Sequence, residues 1–178
     1  MTDSGYIQAV REGDSNSFQP LVERYHKLVF RTAMGFLHHQ EDAEDLTQEI
    51  FIKAFQSIGN YSGEAAFSTW LYRITVNHCL NHLRSKKRRE LLSFAEDIFL
   101  QLINKADDNN EPDKLLEEDE RDQQIRSAID SLSTKQRTAF ILSKYEDLPQ
   151  KEIARIMEIS EGAVEQHLQR AKQKLQKK

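Results

Sequence analysis

Between Asp42 and Ile58 the residues Ala43, Leu46, Ile50, Phe51, Ala54, Phe55 and Ile58 fall at three- and four-residue steps. Such steps make one continuous apolar face only in a chain that turns once every ~3.6 residues, so this stretch reads as an α-helix. The pattern repeats. Phe18, Leu21, Val22, Tyr25, Leu28, Val29 and Leu37 mark a long helix over Ser17 to Leu37, and another runs from Ala66 to Leu92. Shorter helices are expected at Tyr6 to Arg11, at Asp119 to Leu132 (Ile125, Ala128, Ile129), and after Ser133, whose spacing to Gln136 is that of a capping box. No β-type alternation is sustained, and only six glycines and three prolines punctuate 178 residues. The expected fold class is all-α.

The last helical segment, Leu148 to Leu175, has the form of a helix-turn-helix. Pro149 fits a first helical turn because its missing N–H is not needed there, and Ile153, Ala154 and Met157 share one face. Ile159 and Ser160 make the turn, and Ser160 can cap a second helix with the buried stripe Val164, Leu168, Ala171 and Leu175. The opposite face carries Gly162, Gln166, Gln169 and Gln173, with Glu165 and Arg170 beside it. Long amides and an arginine can pair with base edges in a major groove. The alternative is a helical hairpin with an ordinary solvated face.

The net charge of −4 argues against a nucleic-acid binder until it is divided along the chain. Residues 1–95 hold eleven basic and eleven acidic side chains, residues 96–122 three and eleven, and residues 123–178 eleven and seven. A basic cluster, Arg84 and Lys86 to Arg89, is masked by a middle segment of charge −8. That segment contains Asp107 to Asn110 and Pro112 as breakers, and reads as a flexible linker. The expected organisation is two small helical domains, 1–95 and 119–178, joined by an acidic linker over 96–118, with the helix-turn-helix in the second. No apolar run reaches the ~18 residues of a membrane span, and the polar start MTDSGYIQAVREGD lacks a secretory pattern. The lone Cys79 leaves no internal disulfide to form. A cytoplasmic protein without direct membrane insertion is expected.

Three surfaces stand out. Asp42, Asp45, Gln48, Glu49, Ile52 and Gln56 line the non-core face of the Asp42 to Ile58 helix. A carboxylate face with an isoleucine suits a basic partner helix, although a merely solvated side explains it as well. The aromatic-rich Asn60 to Asn77 segment places Tyr61, Phe67, Trp70 and Tyr72 around a polar loop ahead of the basic run. Rings beside a cationic track suit an unpaired strand, whose bases stack while its phosphates meet lysine and arginine. Phe67, Trp70 and Leu71 could equally be core. Asn77 has the amide geometry to bond a base. Catalytic chemistry finds little support: His78, Cys79 and His82 lack further metal ligands at suitable spacing. Asp42, Asp45 and Glu49 could in principle hold a divalent ion, but no phosphate loop or nucleophile arrangement accompanies them. No cofactor is expected.

Taken together, DAEDLTQEIFIKAF (Asp42 to Phe55), FSTWLYRITVN (Phe67 to Asn77) and the run from Leu132 to Leu175 resemble, in order and spacing, bacterial RNA polymerase sigma factors of the extracytoplasmic-function group. The resemblance implies a non-enzymatic transcription initiation factor. Its first domain (region 2) would bind core RNA polymerase and open the minus-10 element, and its second (region 4) would read duplex minus-35 DNA. It assigns Asp42, Asp45, Gln48, Glu49 and Ile52 to polymerase docking. Tyr61, Phe67, Trp70 and Asn77 would contact minus-10 DNA as a single strand, the Tyr61 to Ala65 loop capturing a flipped base, with Arg84, Lys86, Lys87 and Arg88 on phosphates. Ser160, Glu165, Gln166, Gln169 and Arg170 would lie on the minus-35 recognition helix. Glu165 and His167 stand where many members are basic, which predicts weaker minus-35 affinity or a different preferred sequence. Members are commonly restrained by an anti-sigma factor, often membrane-anchored. The competing reading is a free-standing helix-turn-helix regulator with a ligand-sensing N-terminal domain, which would bind duplex DNA without polymerase. A helical DNA-processing enzyme is a third reading, and it lacks a catalytic site.

Overall fold

The computed structural model describes residues 2–103 and 120–176. Eight α-helices, and no strand among the described residues, bear out the all-α expectation: α1 (Asp3–Arg11), α2 (Gln19–Leu37), α3 (Gln40–Ser57), α4 (Phe67–Ile103), α5 (Glu120–Asp130), α6 (Thr134–Lys144), α7 (Gln150–Met157) and α8 (Glu161–Leu175). The expected linker falls largely on residues 104–119, outside the described residues.

Helices α2, α3 and α4 pack against one another around Leu21, Val29, Phe36, Ile50, Leu71 and Cys79, all fully buried. Removing a side chain of this kind, as in Leu71→Ala, costs about 2–5 kcal/mol through lost transfer energy and the cavity left behind. Local chemistry sets the boundaries. A short 3-10 turn over Ser15–Phe18 precedes α2, and the Asp14 carboxylate accepts from the Asn16 N–H at 3.1 Å. Helix α2 ends where His38 takes a left-handed conformation (φ 56°). His39 then caps α3, its Nδ1 accepting from Asp42 N–H, and Glu41 and Asp42 in the first turn complement the helix dipole. The helix therefore opens two residues ahead of the sequence expectation.

Helix α4 departs further from expectation, running on to Ile103 through the start of the expected linker. The first breakers lie beyond that point, and nothing between Leu92 and Ile103 stops a helix.

The C-terminal unit packs α6, α7 and α8 around Ile141, Leu142, Ile153, Val164 and Ala171. The Ser133/Gln136 capping box forms as expected. Pro149 serves as the N-cap of α7 rather than in its first turn, with extended backbone (φ −68°, ψ 151°). Glu158 closes α7 in a left-handed conformation (φ 55°), so the turn comprises Glu158, Ile159 and Ser160.

The two units touch directly, α4 against α7 and α2 against α6. The Arg137 guanidinium donates to the Phe36 carbonyl and pairs with Asp130 at 2.7 Å. Tyr72 donates its hydroxyl to Glu146 at 3.0 Å, and Thr69 donates to Glu152. Arg73 donates two hydrogen bonds to the Arg155 carbonyl, at 3.1 and 2.7 Å.

Candidate nucleic-acid and protein interfaces

The outward ridge of α3 carries the residues expected for polymerase docking. Asp45, Gln48, Glu49 and Ile52 are exposed, and Ile52 at 57% is among the most exposed large apolar side chains described. The α3 core stripe turns the other way, which leaves this ridge to solvent. Asp42 sits at its N-terminal end, half-buried, and pairs with Lys86 of α4 at 3.6 Å. One lysine of the basic run is thereby engaged by the acidic ridge.

Tyr61, Phe67 and Trp70 form a mutual ring cluster with centroids 5.4–5.7 Å apart. Phe67, expected at the DNA surface, is only 3% exposed and lies edge-on to Tyr25. It is a core residue that supports the other two rings. Tyr61 and Trp70 are half-buried and open onto a cleft of about 280 Å³ shared with Ser62, Glu64, Arg73 and Arg155. The loop is held from both sides. The Tyr61 hydroxyl donates to the Ala65 carbonyl at 2.6 Å, and the Arg11 guanidinium donates to the carbonyls of Ile58 and Tyr61. Gly63 takes φ +82° at the loop tip, where a side chain would be strained. Arg11 had no signal in the sequence, because its partners are backbone carbonyls almost fifty residues away.

Asn77 is exposed on α4 about two turns beyond Trp70, and Arg84, Lys86, Lys87 and Arg88 follow on the same helix, all exposed. Asn77 opens onto a crevice of about 290 Å³ whose far wall is Thr134, Lys135, Met157 and Glu158. Cys79 is buried in the core, where burial pushes its thiol up to about 12. No group of three His, Cys, Asp or Glu side chains among the described residues could hold a metal.

In the helix-turn-helix the Ser160 hydroxyl caps α8 by accepting from the Ala163 N–H at 3.2 Å. Val164 and Ala171 are buried and Leu168 and Leu175 half-buried, which turns Glu165, Gln166, Gln169 and Arg170 to solvent. None of these four makes a hydrogen bond or ion pair within the described residues. Lys144 and Lys172 border the groove that Glu165 and Gln169 line. Those lysines escaped the sequence reading because α6 and α8 meet only in the fold. No helix among the described residues is long and apolar enough to cross a membrane.

Residues 21–89 match the family model of sigma-70 region 2, and residues 122–175 match that of sigma-70 region 4. The RNA polymerase sigma-H factor of Pseudomonas aeruginosa is 34% identical over 98% of this chain and 92% of its own. The ECF RNA polymerase sigma-E factor of Haemophilus influenzae is 33% identical over the whole chain and 95% of its own. In fold, the chain is similar to CnrH in complex with the cytosolic domain of CnrY (TM-score 0.67, 22% identity, covering 98% of this chain and 94% of that one). It is also similar to the Bartonella quintana sigma factor RpoE in complex with the anti-sigma factor NepR (TM-score 0.64, 21% identity, covering 90% and 94%). The chain belongs to the extracytoplasmic-function sigma factors of the sigma-70 family, non-catalytic transcription initiation factors with a region 2 and a region 4.

Proposed function

We propose that this chain directs core RNA polymerase to promoters by reading duplex minus-35 DNA with α8 and capturing unpaired minus-10 DNA with the Tyr61 loop and α4. The carrying observation is the outer face of α8, where Glu165, Gln166, Gln169 and Arg170 stand exposed and unpaired on a helix fixed by its apolar stripe. Amide and guanidinium groups there can bond base edges without first breaking a contact. On region 2, Trp70 and Tyr61 offer ring faces at a cleft, and a base extruded from the stack, at a cost of a few kcal/mol, can be received there. Asn77 supplies an amide for its neighbour, and Arg84, Lys87 and Arg88 extend the track for phosphates. Phe67 supports these rings from the core.

The α3 ridge of Asp45, Gln48, Glu49 and Ile52 serves as the polymerase dock, complementary to a basic helical surface. Likeness to a sigma factor seen with an anti-sigma factor supports regulation of this chain by such an inhibitor, anchored at a membrane or free. The proposed site of action is the cytoplasm. Transcription with purified core polymerase on a library of promoter sequences tests the reading. Polymerase-dependent initiation with preferences at both elements is the expected result. Tight, specific duplex binding by the chain alone, with no stimulation of polymerase, would instead identify a free-standing regulator.

A further inference from the structure

The Tyr61 loop makes few bonds of its own. Among the described residues, no backbone-to-backbone hydrogen bond involves residues 62–65. Two side chains close the loop on itself: the Tyr61 hydroxyl donates to the Ala65 carbonyl, and the Ser62 hydroxyl accepts from the Glu64 N–H at 3.4 Å. Gly63 at the tip faces open space. A loop that must be ordered as it binds spends affinity on that ordering. Presenting the Tyr61 ring to a base in one orientation therefore needs support from outside the loop.

Helix α1 supplies it from both of its ends, although α1 lies ahead of the residues 21–89 that match region 2. Ile7 and Val10 hold the helix to the core. At the first end, the Asp3 carboxylate accepts from the Tyr25 hydroxyl and pairs with Arg24. The Tyr25 ring thus fixed lies 5.3 Å edge-on to Phe67, which in turn backs Tyr61 and Trp70. At the last turn, Arg11 grips the backbone beneath the ring. Its Nε and Nη2 donate to the Ile58 carbonyl at 3.3 and 3.0 Å, and Nη2 also donates to the Tyr61 carbonyl.

The chemistry of this second grip is specific to arginine. Ile58 and Tyr61 flank the short 3-10 turn over Ile58–Asn60 that follows α3, where carbonyls point out of a helix end and favour a cation. The Tyr61 N–H already donates to the Ile58 carbonyl at 3.3 Å. A planar guanidinium spans both oxygens with donors in a fixed fork, whereas an ammonium is a point charge. Arg11 is itself exposed, so the core does not depend on it. Its bonds go to the two carbonyls that set where the Tyr61 ring leaves the backbone.

We infer that Arg11 is a positioning residue for minus-10 recognition, holding the backbone at Ile58 and Tyr61 so that the Tyr61 ring meets the captured base in one orientation. The inference rests on the minus-10 assignment proposed above, and it makes α1 part of the reading apparatus without contact to DNA.

The test uses holoenzyme made from core polymerase and the full chain. Transcription of a promoter library gives the preference at each position of both elements, and permanganate reactivity on one selected promoter gives strand opening. Tyr61→Ala must first lower both opening and the preference at a minus-10 position; if it does not, the underlying reading fails. Arg11→Gln is then expected to lower opening, and the preference at that same position, roughly five- to tenfold, with minus-35 preference kept. Arg11→Gln combined with Tyr61→Ala should open no more slowly than Tyr61→Ala alone, because no ring remains to be positioned. Arg11→Lys keeps the charge without the fork and should recover less than half of the loss. Normal preference in Arg11→Gln, an equal fall at every position, or losses that add in the double variant overturn the inference even where the Tyr61 result stands. Recovery of more than half by lysine overturns it too, since charge alone would then suffice, as at a phosphate. Should Arg11→Gln fail to fold, Arg11→Lys, alone and with Tyr61→Ala, is held to the same comparison.

Discussion

The proposed minus-35 reader of region 4 and the proposed minus-10 surface of region 2 are both helix faces, but they present their chemistry differently. On α8 Glu165, Gln166, Gln169 and Arg170 stand free, and the helix is fixed from behind by Val164 and Ala171. On α4 Lys86 pairs with Asp42, and three neighbours of the proposed reading residues are engaged by region 4: Arg73 by Arg155 and Glu158, and Thr69 and Tyr72 by Glu152 and Glu146. A duplex reader needs only a rigid face, because its ligand is already ordered. A surface for an unpaired strand is cationic and aromatic, so in the absence of DNA it attracts whatever acid or apolar group lies near.

This contrast makes the two faces separable by mutation. The largest effect lies outside both. Asp45→Arg with Glu49→Lys reverses the charge of an exposed ridge, so the fold should survive while co-purification with core polymerase is lost. Retained co-purification would sink the docking assignment. Next in size is Tyr61→Ala. Stacking of a base on a ring is worth about 1–3 kcal/mol, so strand opening should fall roughly 5- to 150-fold with little change in duplex binding. Normal permanganate reactivity at the minus-10 element would remove Tyr61 from that role. Similar in size but confined to particular minus-35 positions is Gln166→Ala or Gln169→Ala, each expected to cost about 1–3 kcal/mol there. A uniform loss across sequences would instead mark a phosphate contact and erase the contrast between the two faces.

What the sequence disclosed follows the same division. The α8 face was readable from spacing because helix period, Ser160 cap and apolar stripe are all local. Likewise the α3 ridge is simply the complement of a core stripe. The Tyr61 loop was legible only in part. Ring residues mark an aromatic cluster, but whether Phe67 faces a base or the core depends on Tyr25, forty-two residues away. Arg11, holding two loop carbonyls, and Gly35, making room for Ile141, act through the fold and leave no periodic trace. Apolar periodicity weakens after Leu92, so the pattern alone places the end of α4 there, although the backbone meets no breaker before Ile103.

The smallest expected effect probes the seam between the two regions by charge alone. Glu146 has its side chain only 4% exposed, and burial, before any neighbour, raises its pKa above the ordinary 4.5, with Asp147 adding to the shift and Tyr72 and Arg31 opposing it. The folded arrangement thus prefers the protonated form. Its contribution is complete below 4.5 and is lost as pH rises through the higher value of the folded form. At neutral pH the buried carboxylate opposes the packing of the seam. Glu146→Gln keeps the shape, can still accept from Tyr72, and removes the buried charge, so the folded chain should gain stability against unfolding at neutral pH. His38, lowered chiefly by burial and facing Asp130, Arg137 and Arg126, contributes with the opposite sign as pH falls. The informative quantity is therefore the wild-type minus Glu146→Gln difference in unfolding stability at each pH. That difference should shrink between neutral pH and the approach to 4.5, and a constant difference would show that Glu146 stays ionised in the seam.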